Sequence, residues 1–243
     1  MTTSPGIVYL ELIGRMLARL RDQQWPSIRE AAGLVADSLA SGGTVHVFGS
    51  GHSHMLAEEL FYRAGGLVRV KPILFDGLML HPSAVLSTSL ERMPELADAL
   101  LADHPIGAGD VLIVASNSGS NAVSSQLVRL VQQNGVRVIA VTSLRHATSS
   151  AARSNDLPRL HEMAEVVIDN GGVVGDAAIE IRGFDRKVSP TSTVIGAAIV
   201  NAVVAEAVQM LVDRGTPPEV YTSSNLEGGD EVNASLIRSA NLR

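Results

Sequence analysis

The spacing of apolar residues changes along the chain between a helical and a strand period. Residues 7–40 carry apolar side chains at helical spacing, with a break at Trp25-Pro26, and predict two N-terminal helices. Residues 193–213 place apolar side chains on most sides of a helix, which predicts a long and largely buried helix. Short β-branched runs bounded by turn residues predict strands at residues 44–48, 67–70, 111–115, 136–142 and 165–169.

Predicted helices alternate with these strands, including one over residues 54–64 and one that ends at Asn134-Gly135. This alternation is typical of a parallel sheet with helices on both faces. We therefore predict an α/β domain over residues 41–215, with a helical segment over residues 1–40 before it and a polar, irregular tail over residues 216–243 after it. Such sheets bind ligands at the carboxyl ends of strands, where the direction of the crossovers changes.

The turn at residues 116–121 reads Ser-Asn-Ser-Gly-Ser-Asn and follows the clearest predicted strand. Its hydroxyl and amide groups, together with the N–H groups that open the next helix, can bind a phosphate dianion without Lys or Arg. An ordinary loop in which Asn121 caps the helix is the alternative interpretation. The candidate phosphate-binding residues are Ser116, Asn117, Ser118, Gly119, Ser120 and Asn121.

The turn at residues 49–53, Gly-Ser-Gly-His-Ser, is the second candidate for chemistry. A dinucleotide-binding fingerprint would need a third glycine at position 54, which is His54, and no P-loop Gly-Lys-Ser/Thr follows. His52 and His54 flank Ser53, so acid–base catalysis, hydroxyl recognition and structural hydrogen bonding all remain open for them. A metal pair is conceivable, but the sequence identifies no third ligand.

The predicted helix over residues 54–64 has one apolar side and one mixed side. Met55 and Tyr62 share the mixed side with Glu58 and Glu59. Because a solvated helix face rarely carries such bulk, this side fits a subunit interface along an active site. Glu59 or Glu58 could then act as a general base, provided that burial moves its pKa towards neutrality. A pair of surface glutamates is the alternative.

The composition excludes several classes of protein. The 243 residues contain no cysteine, which excludes disulfides, thiolate zinc sites and cysteine nucleophiles. A hydrophobic content of 46% argues against disorder, and a net charge of −6 argues against a nucleic-acid partner. The apolar run over residues 194–205 contains Asn201 and is too short to span a bilayer, and the N-terminal segment is amphipathic. We therefore expect a cytoplasmic protein without a membrane partner.

At the two turns the sequence resembles the SIS (sugar isomerase) domain. The matching segments are V-F-G-S-G-H-S at residues 47–53, D-V-L-I-V-A-S-N-S-G-S-N-A-V at residues 110–123 and G-V-R-V-I-A-V-T-S at residues 135–143. Together these motifs span roughly residues 40–170. The chain is most similar to an uncharacterised SIS-domain family that also carries E-E-L-F-Y-R-A-G-G and T-S-T-V-I-G, and phosphoheptose isomerase is a more distant relative.

The resemblance implies a three-layer αβα sandwich with a five-stranded parallel sheet of flavodoxin-like type, with the N-terminal helices added to it. It implies a sugar phosphate as the ligand and subunits that pair at the active site, so we expect a homodimer or homotetramer. An enediol route needs no metal or organic cofactor, and we expect none. In SIS proteins the loop after the third strand holds the phosphate, here the loop that contains Ser116, Ser118 and Asn121. Ser53 matches the serine that closes the sugar site in relatives.

The catalytic residues of phosphoheptose isomerase match positions of this sequence less well than the phosphate loop does. Phosphoheptose isomerase uses a Glu on the helix after the first loop and a His on a C-terminal helix. The position that matches the Glu lies near Arg63, and the C-terminal helix offers Glu206 but no His. We therefore predict an aldose–ketose isomerase, or a related enzyme on a sugar phosphate, in which Glu59 is the base and His52 shuttles the second proton.

Other interpretations remain open at this point. The domain could bind a phosphosugar without catalysis, as a sensor, or could cleave a sugar-phosphate ether or amine by elimination. His54 and His81 could replace His52 as the acid–base histidine. The acidic tail could be a flexible terminus, or a lid that supplies Glu227 or Glu231 to a neighbouring subunit.

Overall fold

A computed structural model describes residues 4–150 and 156–240. The predicted N-terminal helices are present as α1 (Pro5–Arg19) and α2 (Trp25–Ala40), and a π-helical segment, Leu20–Gln24, separates them. The second residue of α2 is a proline, which is favoured at a helix start because its missing N–H needs no partner there. The predicted break therefore marks the start of a new helix and not the end of the helical segment.

Five parallel strands form the central sheet, as the alternating pattern predicts. They are β1 (Val45–Gly49), β2 (Val70–Ile73), β3 (Val111–Ala115), β4 (Arg137–Thr142) and β5 (Val166–Asp169). Their spatial order is β2-β1-β3-β4-β5, so the crossover direction changes between β1 and β3. Every residue of β1 and β3 is buried, because helices cover both faces of the sheet.

Two helical layers enclose this sheet and give the predicted three-layer αβα sandwich. Apolar residues of α1, α2 and two later helices form one core, and apolar residues on the opposite face form the other. The remaining helices are α3 (His54–Leu60), α4 (Ala84–Leu90), α5 (Leu96–Asp103), α6 (Ala122–Gln133), α7 (Leu144–Ala147), α8 (Leu160–Met163), α9 (Ser192–Asp213) and α10 (Gly229–Ser239). A short antiparallel pair, β6 (Ala177–Ile179) and β7 (Val188–Pro190), precedes α9.

The long helix α9 is a core helix of this fold, as its apolar pattern predicts. It packs against α2 and α3. At Gly196 it approaches α3 so closely that a Cβ would lie 2.7 Å from a methyl group of Leu56. By length and composition α9 is also apolar enough to cross a membrane, a test that the core helices of globular proteins also pass.

Two predicted elements on the β2 side differ from the structure. The strand predicted at residues 67–70 is displaced, because Leu67 forms an antiparallel bridge with Val220 while the sheet strand begins at Val70. The helix predicted over residues 54–64 ends at Leu60, and Tyr62 takes a left-handed backbone conformation with φ 42°. Backbone pairing with a distant segment overrides the local helical pattern here.

That distant segment is the tail, for which the prediction of an irregular structure is wrong. Tyr221 exchanges backbone hydrogen bonds of 2.9 Å with Gly65 and Gly66, and its side chain is buried. The helix α10 follows, and Asn233 on α10 bonds both backbone groups of Thr222 at 3.0 Å. The tail is therefore attached to the loop before β2, while residues 241–243 lie outside the described part.

A buried histidine lies beside the carboxylate that organises the start of β3. The side chain of His46 in β1 is 4% exposed, and its Nε2 lies 3.5 Å from Asp110 Oδ2. Asp110 also accepts hydrogen bonds from the N–H groups of Thr44 and Gly107. Burial lowers the pKa of His46 and outweighs the opposing effect of the Asp110 carboxylate.

We predict that His46 makes the protein less stable in acid. Because its folded-state pKa is below its unfolded-state value of about 6.5, the stability that neutral His46 contributes is complete above that pH. It is lost as the pH falls through the folded-state pKa. The free energy of unfolding, measured with urea between pH 5 and 8, should fall by up to about 1.4 kcal/mol more per pH unit in the wild type than in His46→Gln. The exposed His52, changed to Gln, is the control, and equal pH dependence in the wild type and His46→Gln would contradict this role.

Candidate functional site

The parallel pairing of β1 with β3 places the two predicted turns side by side. Gly49 is paired with Ala115 at the carboxyl ends of these strands. Across the gap, Asn121 Nδ2 donates a hydrogen bond of 3.1 Å to Ser50 Oγ. The two turns therefore form one crevice where the crossover direction changes, which is the place where such sheets bind ligands.

The first turn folds tightly over the end of β1. A Cβ on Gly49 would overlap the carbonyl group of Ser53, so this position requires glycine. Ser53 N donates a hydrogen bond of 3.0 Å to Ser50 O, and Gly51 has a φ of 56°. This backbone path brings Ser53 to the start of α3, where it lines a narrow cleft with Ser116 and Asn117 of the second turn.

The histidines of this region differ in their surroundings. His52 is exposed on the turn, whereas His54 is buried and contacts the carbonyl oxygen of Gly51 through Nδ1. The His54 ring also packs edge-on against His81, with centroids 6.0 Å apart. These contacts engage the His54 ring with neighbouring groups of the protein. Within the described ranges no group of three His, Asp or Glu side chains is arranged as a metal site.

The second turn depends on a glycine in the left-handed region. Gly119 has a φ of 63°, and a Cβ there would lie 3.1 Å from Thr142 Oγ1 at the end of β4. Gly119 N donates to Ser116 Oγ at 3.2 Å, and Gly119 O accepts from Leu160 N at 2.9 Å. Ser116 is buried and holds the turn together from inside, so its hydroxyl has a structural partner within the loop.

Two serines of this turn lie next to each other where α6 begins. Ser120 N and Ser120 Oγ lie 3.4 Å and 3.3 Å from Ser118 Oγ, which are long hydrogen bonds. The first N–H groups of a helix have no partner within the helix and carry the positive end of its dipole. The hydroxyls of Ser118 and Ser120 are thus placed where an anion is favoured.

Asn117, in contrast, is directed towards the end of β5. Its Oδ1 accepts a hydrogen bond of 3.0 Å from Asn170 Nδ2 at the end of β5. It lines a narrow cleft together with Ser53 of the first turn and Ser192 at the start of α9. Asn117 therefore links the ends of β3 and β5.

Asn121 occupies the N-cap position of α6 but does not use its side chain as a cap. Its Nδ2 donates to Ser50 Oγ at 3.1 Å and to Glu91 Oε2 at 2.8 Å. The backbone of Asn121 therefore takes the N-cap position that the alternative interpretation predicts, but its side chain does not cap the helix. The amide spans the crevice instead.

Glu91 is a member of the site that sequence reasoning missed. It lies just after α4, and its Oε2 accepts hydrogen bonds from Ser50 Oγ at 3.0 Å and from Asn121 Nδ2 at 2.8 Å. Its backbone oxygen accepts from Val123 N in the first turn of α6 at 3.2 Å. No local sequence signal distinguishes Glu91 from other glutamates, because its partners lie far away in the chain.

The predicted base, Glu59, lies further along α3. Its Oε1 accepts a hydrogen bond of 2.7 Å from Asn201 Nδ2 on α9 and pairs with the Arg63 guanidinium. Glu58 is half exposed, and its carboxylate is 3.8 Å from His54 Nε2. The structure thus gives Glu59 partners on two elements, whereas Glu58 has the surroundings of a surface residue.

A larger cavity lies away from the two turns, at the open edge of β2. Its volume is about 700 Å³, and Phe61, Tyr62 and Tyr221 contribute aromatic side chains to it. Its lining also includes the side chains of Lys71 and His104. The crevice between β1 and β3 differs from this cavity in lying where the crossover direction changes, which is where sheets of this type bind ligands.

Comparison with known proteins agrees with this architecture. Residues 8–143 match the family described as the SIS domain. A UPF0309 protein of Listeria innocua is 41% identical over 235 residues, which cover 97% of this chain and 95% of the relative. A UPF0309 protein of Halalkalibacterium halodurans is 42% identical over 229 residues, which cover 94% of this chain and 92% of that protein.

Solved structures with 17% sequence identity share the fold. A phosphoheptose isomerase from Francisella tularensis matches with a TM-score of 0.58 over 86% of this chain and 100% of its own. The phosphoheptose isomerase of Neisseria gonorrhoeae matches with a TM-score of 0.53 over 86% of this chain and 96% of its own. Sequence match, full-length relatives and shared topology agree, and the chain belongs to the SIS domain family.

Proposed function

We propose that this protein binds a sugar phosphate in the crevice between the two turns and interconverts its aldose and ketose forms. The observation that carries the proposal is the juxtaposition of the turns, tied together by Asn121 and Ser50 at 3.1 Å. The structural neighbours that are phosphosugar isomerases have the same fold. The fold supports the class of ligand, and the polar groups of the crevice support its position.

The phosphate is assigned to the second turn. Ser118 and Ser120 supply hydroxyls beside the N-terminus of α6, and the left-handed backbone of Gly119 gives the turn the tight path that brings the two serines together. Ser116 and Asn117 hold this turn in shape through Gly119 N and Asn170 Nδ2. Such a preformed set of donors binds a dianion without a cationic side chain.

The sugar then extends towards Ser53 and α3, and the reaction consists of proton transfers. The base, Glu59, removes the proton on the carbon next to the carbonyl, and His52 moves a proton between the two oxygens of the enediol. The same base returns the proton to the neighbouring carbon, so the product has the atoms of the substrate. An enediol route needs proton transfer alone, and the proposal therefore includes no metal or organic cofactor.

A homodimer or homotetramer in the cytoplasm is part of the proposal. The outer face of α1 carries Ile7, Leu10 and Leu17, which lie on one side of the helix and are exposed, Leu10 to 70%. Exposed apolar stripes of this kind mark protein–protein contacts. A second copy of the chain is the partner that this face would bind.

A phosphosugar sensor without catalysis is the second candidate function. The ion pair of Glu59 with Arg63 favours it, because this contact engages the carboxylate that an isomerase would need free to reach the substrate. The sensor and the isomerase share the ligand and differ in turnover.

We predict that one or more sugar phosphates raise the unfolding midpoint. The panel contains fructose 6-phosphate, glucose 6-phosphate and sedoheptulose 7-phosphate, with the free sugars and inorganic phosphate as references. A ligand at one hundred times its dissociation constant stabilises the folded state by about 2.7 kcal/mol. Ser118→Asp should abolish this shift, because a carboxylate then occupies the phosphate position.

Ser235→Asp is the matched control for this experiment. It adds the same charge to an exposed position on α10. If the ligand still raises the unfolding midpoint of Ser118→Asp, it binds elsewhere. If free sugars raise the midpoint as much as their phosphates do, the proposed phosphate site is wrong.

We predict that the protein incorporates deuterium from heavy water at C2 of the aldose phosphate that it binds. Glu59→Gln should slow this exchange by about 10²–10⁴-fold, the usual contribution of a general base. Glu58→Gln, on the same helix and half exposed, is the control. Nuclear magnetic resonance of the substrate measures both exchange and product.

The outcomes separate the candidate functions. A bound sugar phosphate that shows neither exchange nor product would leave the sensor function alone. Exchange accompanied by loss of a substituent from the sugar would indicate an eliminating lyase or etherase. Unchanged exchange in Glu59→Gln would remove that residue from the mechanism without affecting the isomerase proposal.

A further inference from the structure

The hydrogen bonds around Asn121 fix which end of its amide faces the crevice. Glu91 Oε2 lies 2.8 Å from Asn121 Nδ2, and an ionised carboxylate only accepts hydrogen bonds. The NH₂ group of Asn121 must therefore point to Glu91. A flipped amide would place two oxygens against each other, so the carboxylate decides an orientation that Asn side chains otherwise leave ambiguous.

The opposite end of the amide is its carbonyl oxygen. Among residues 4–150 and 156–240 no group donates a hydrogen bond to Asn121 Oδ1, although the residue is only partly exposed. Oδ1 is an acceptor with two lone pairs. A phosphate dianion offers acceptors only, so it gains nothing from this atom, whereas a sugar hydroxyl can donate to it.

We propose that Asn121 recognises a hydroxyl group of the sugar through Oδ1, and that Glu91 is the positioning residue that orients it. This inference rests on the proposed function and divides the second turn into two parts. Ser118 and Ser120 face the phosphate, and Asn121 contacts the polyol next to it. Asn121 is thereby a specificity residue of the same site instead of a phosphate ligand.

Glu91 is well placed to hold this orientation. Its carboxylate also accepts from Ser50 Oγ at 3.0 Å, and its backbone oxygen accepts from Val123 N at 3.2 Å. Contacts to the first turn and to α6 fix the carboxylate relative to both sides of the crevice. A glutamine in its place could donate as well as accept, and the amide of Asn121 could then turn over.

The test compares a ligand without hydroxyl donors on carbon with ligands that carry them. Affinities of inorganic phosphate and of the three sugar phosphates named above are measured for the wild type, Asn121→Ala, Glu91→Gln and Glu95→Gln. Glu95 is an exposed glutamate four residues from Glu91 and serves as the matched control. Unfolding midpoints without ligand report on folding of each variant.

We expect Asn121→Ala to weaken the affinity for the most tightly bound sugar phosphate by roughly fivefold to tenfold, which corresponds to the loss of one neutral hydrogen bond. Glu91→Gln should weaken it in the same direction. In both variants the affinity for inorganic phosphate should stay within about twofold of the wild type. The ratio of the affinity for the sugar phosphate to that for inorganic phosphate therefore falls. Glu95→Gln should leave both affinities unchanged.

A parallel loss of inorganic phosphate and sugar phosphate would overturn the inference, because Asn121 would then be a phosphate ligand or a structural residue. Unchanged affinities in Asn121→Ala would overturn it too, and this arm stands even where Glu91→Gln folds poorly. Both results leave the proposed function intact. If neither phosphate nor any sugar phosphate binds the wild type, the proposed function fails, and this inference fails with it.

Discussion

The parallel pairing of β1 with β3 is the constraint on which the candidate site depends. It sets Gly49 beside Ala115, so two polar turns leave the sheet from adjacent positions. Because the crossovers on either side of this pair run in opposite directions, the strand order separates the two turns by a gap, which Glu91 of the β2–β3 connection contacts from both sides. The crevice is thus a consequence of strand order, and the polar residues of the turns give it its chemistry.

Within that crevice the six residues of the second turn are not equivalent. Ser116 and Asn117 have partners that stabilise the loop, whereas Ser118 and Ser120 lie beside the start of α6. Asn121 reaches across to the first turn. A run of similar small polar residues therefore separates into residues that stabilise the loop, residues beside the helix start and a residue that bridges the two turns, because each backbone position points its side chain in a different direction.

Much of the fold could be predicted from the sequence because the signals are local and periodic. The apolar pattern of the sheet strands and of α9 depends on residues within one element. The displaced strand at residues 67–70 and the unpredicted helix α10 have a different origin. Leu67 pairs with Val220, which lies far away in the sequence, and no local pattern encodes such a pairing.

At the candidate site, the sequence by itself determined that the two segments form polar turns. Their glycines allow a tight backbone path, and their hydroxyl and amide groups follow directly from the residue types. Only the tertiary structure decided which of these groups contact each other. Glu91 joins the site through partners 41 and 30 residues away, Ser50 and Asn121, and an isolated glutamate in the chain carries no sign of this. The orientation of the Asn121 amide follows from that contact, because a carboxylate accepts hydrogen bonds and does not donate them.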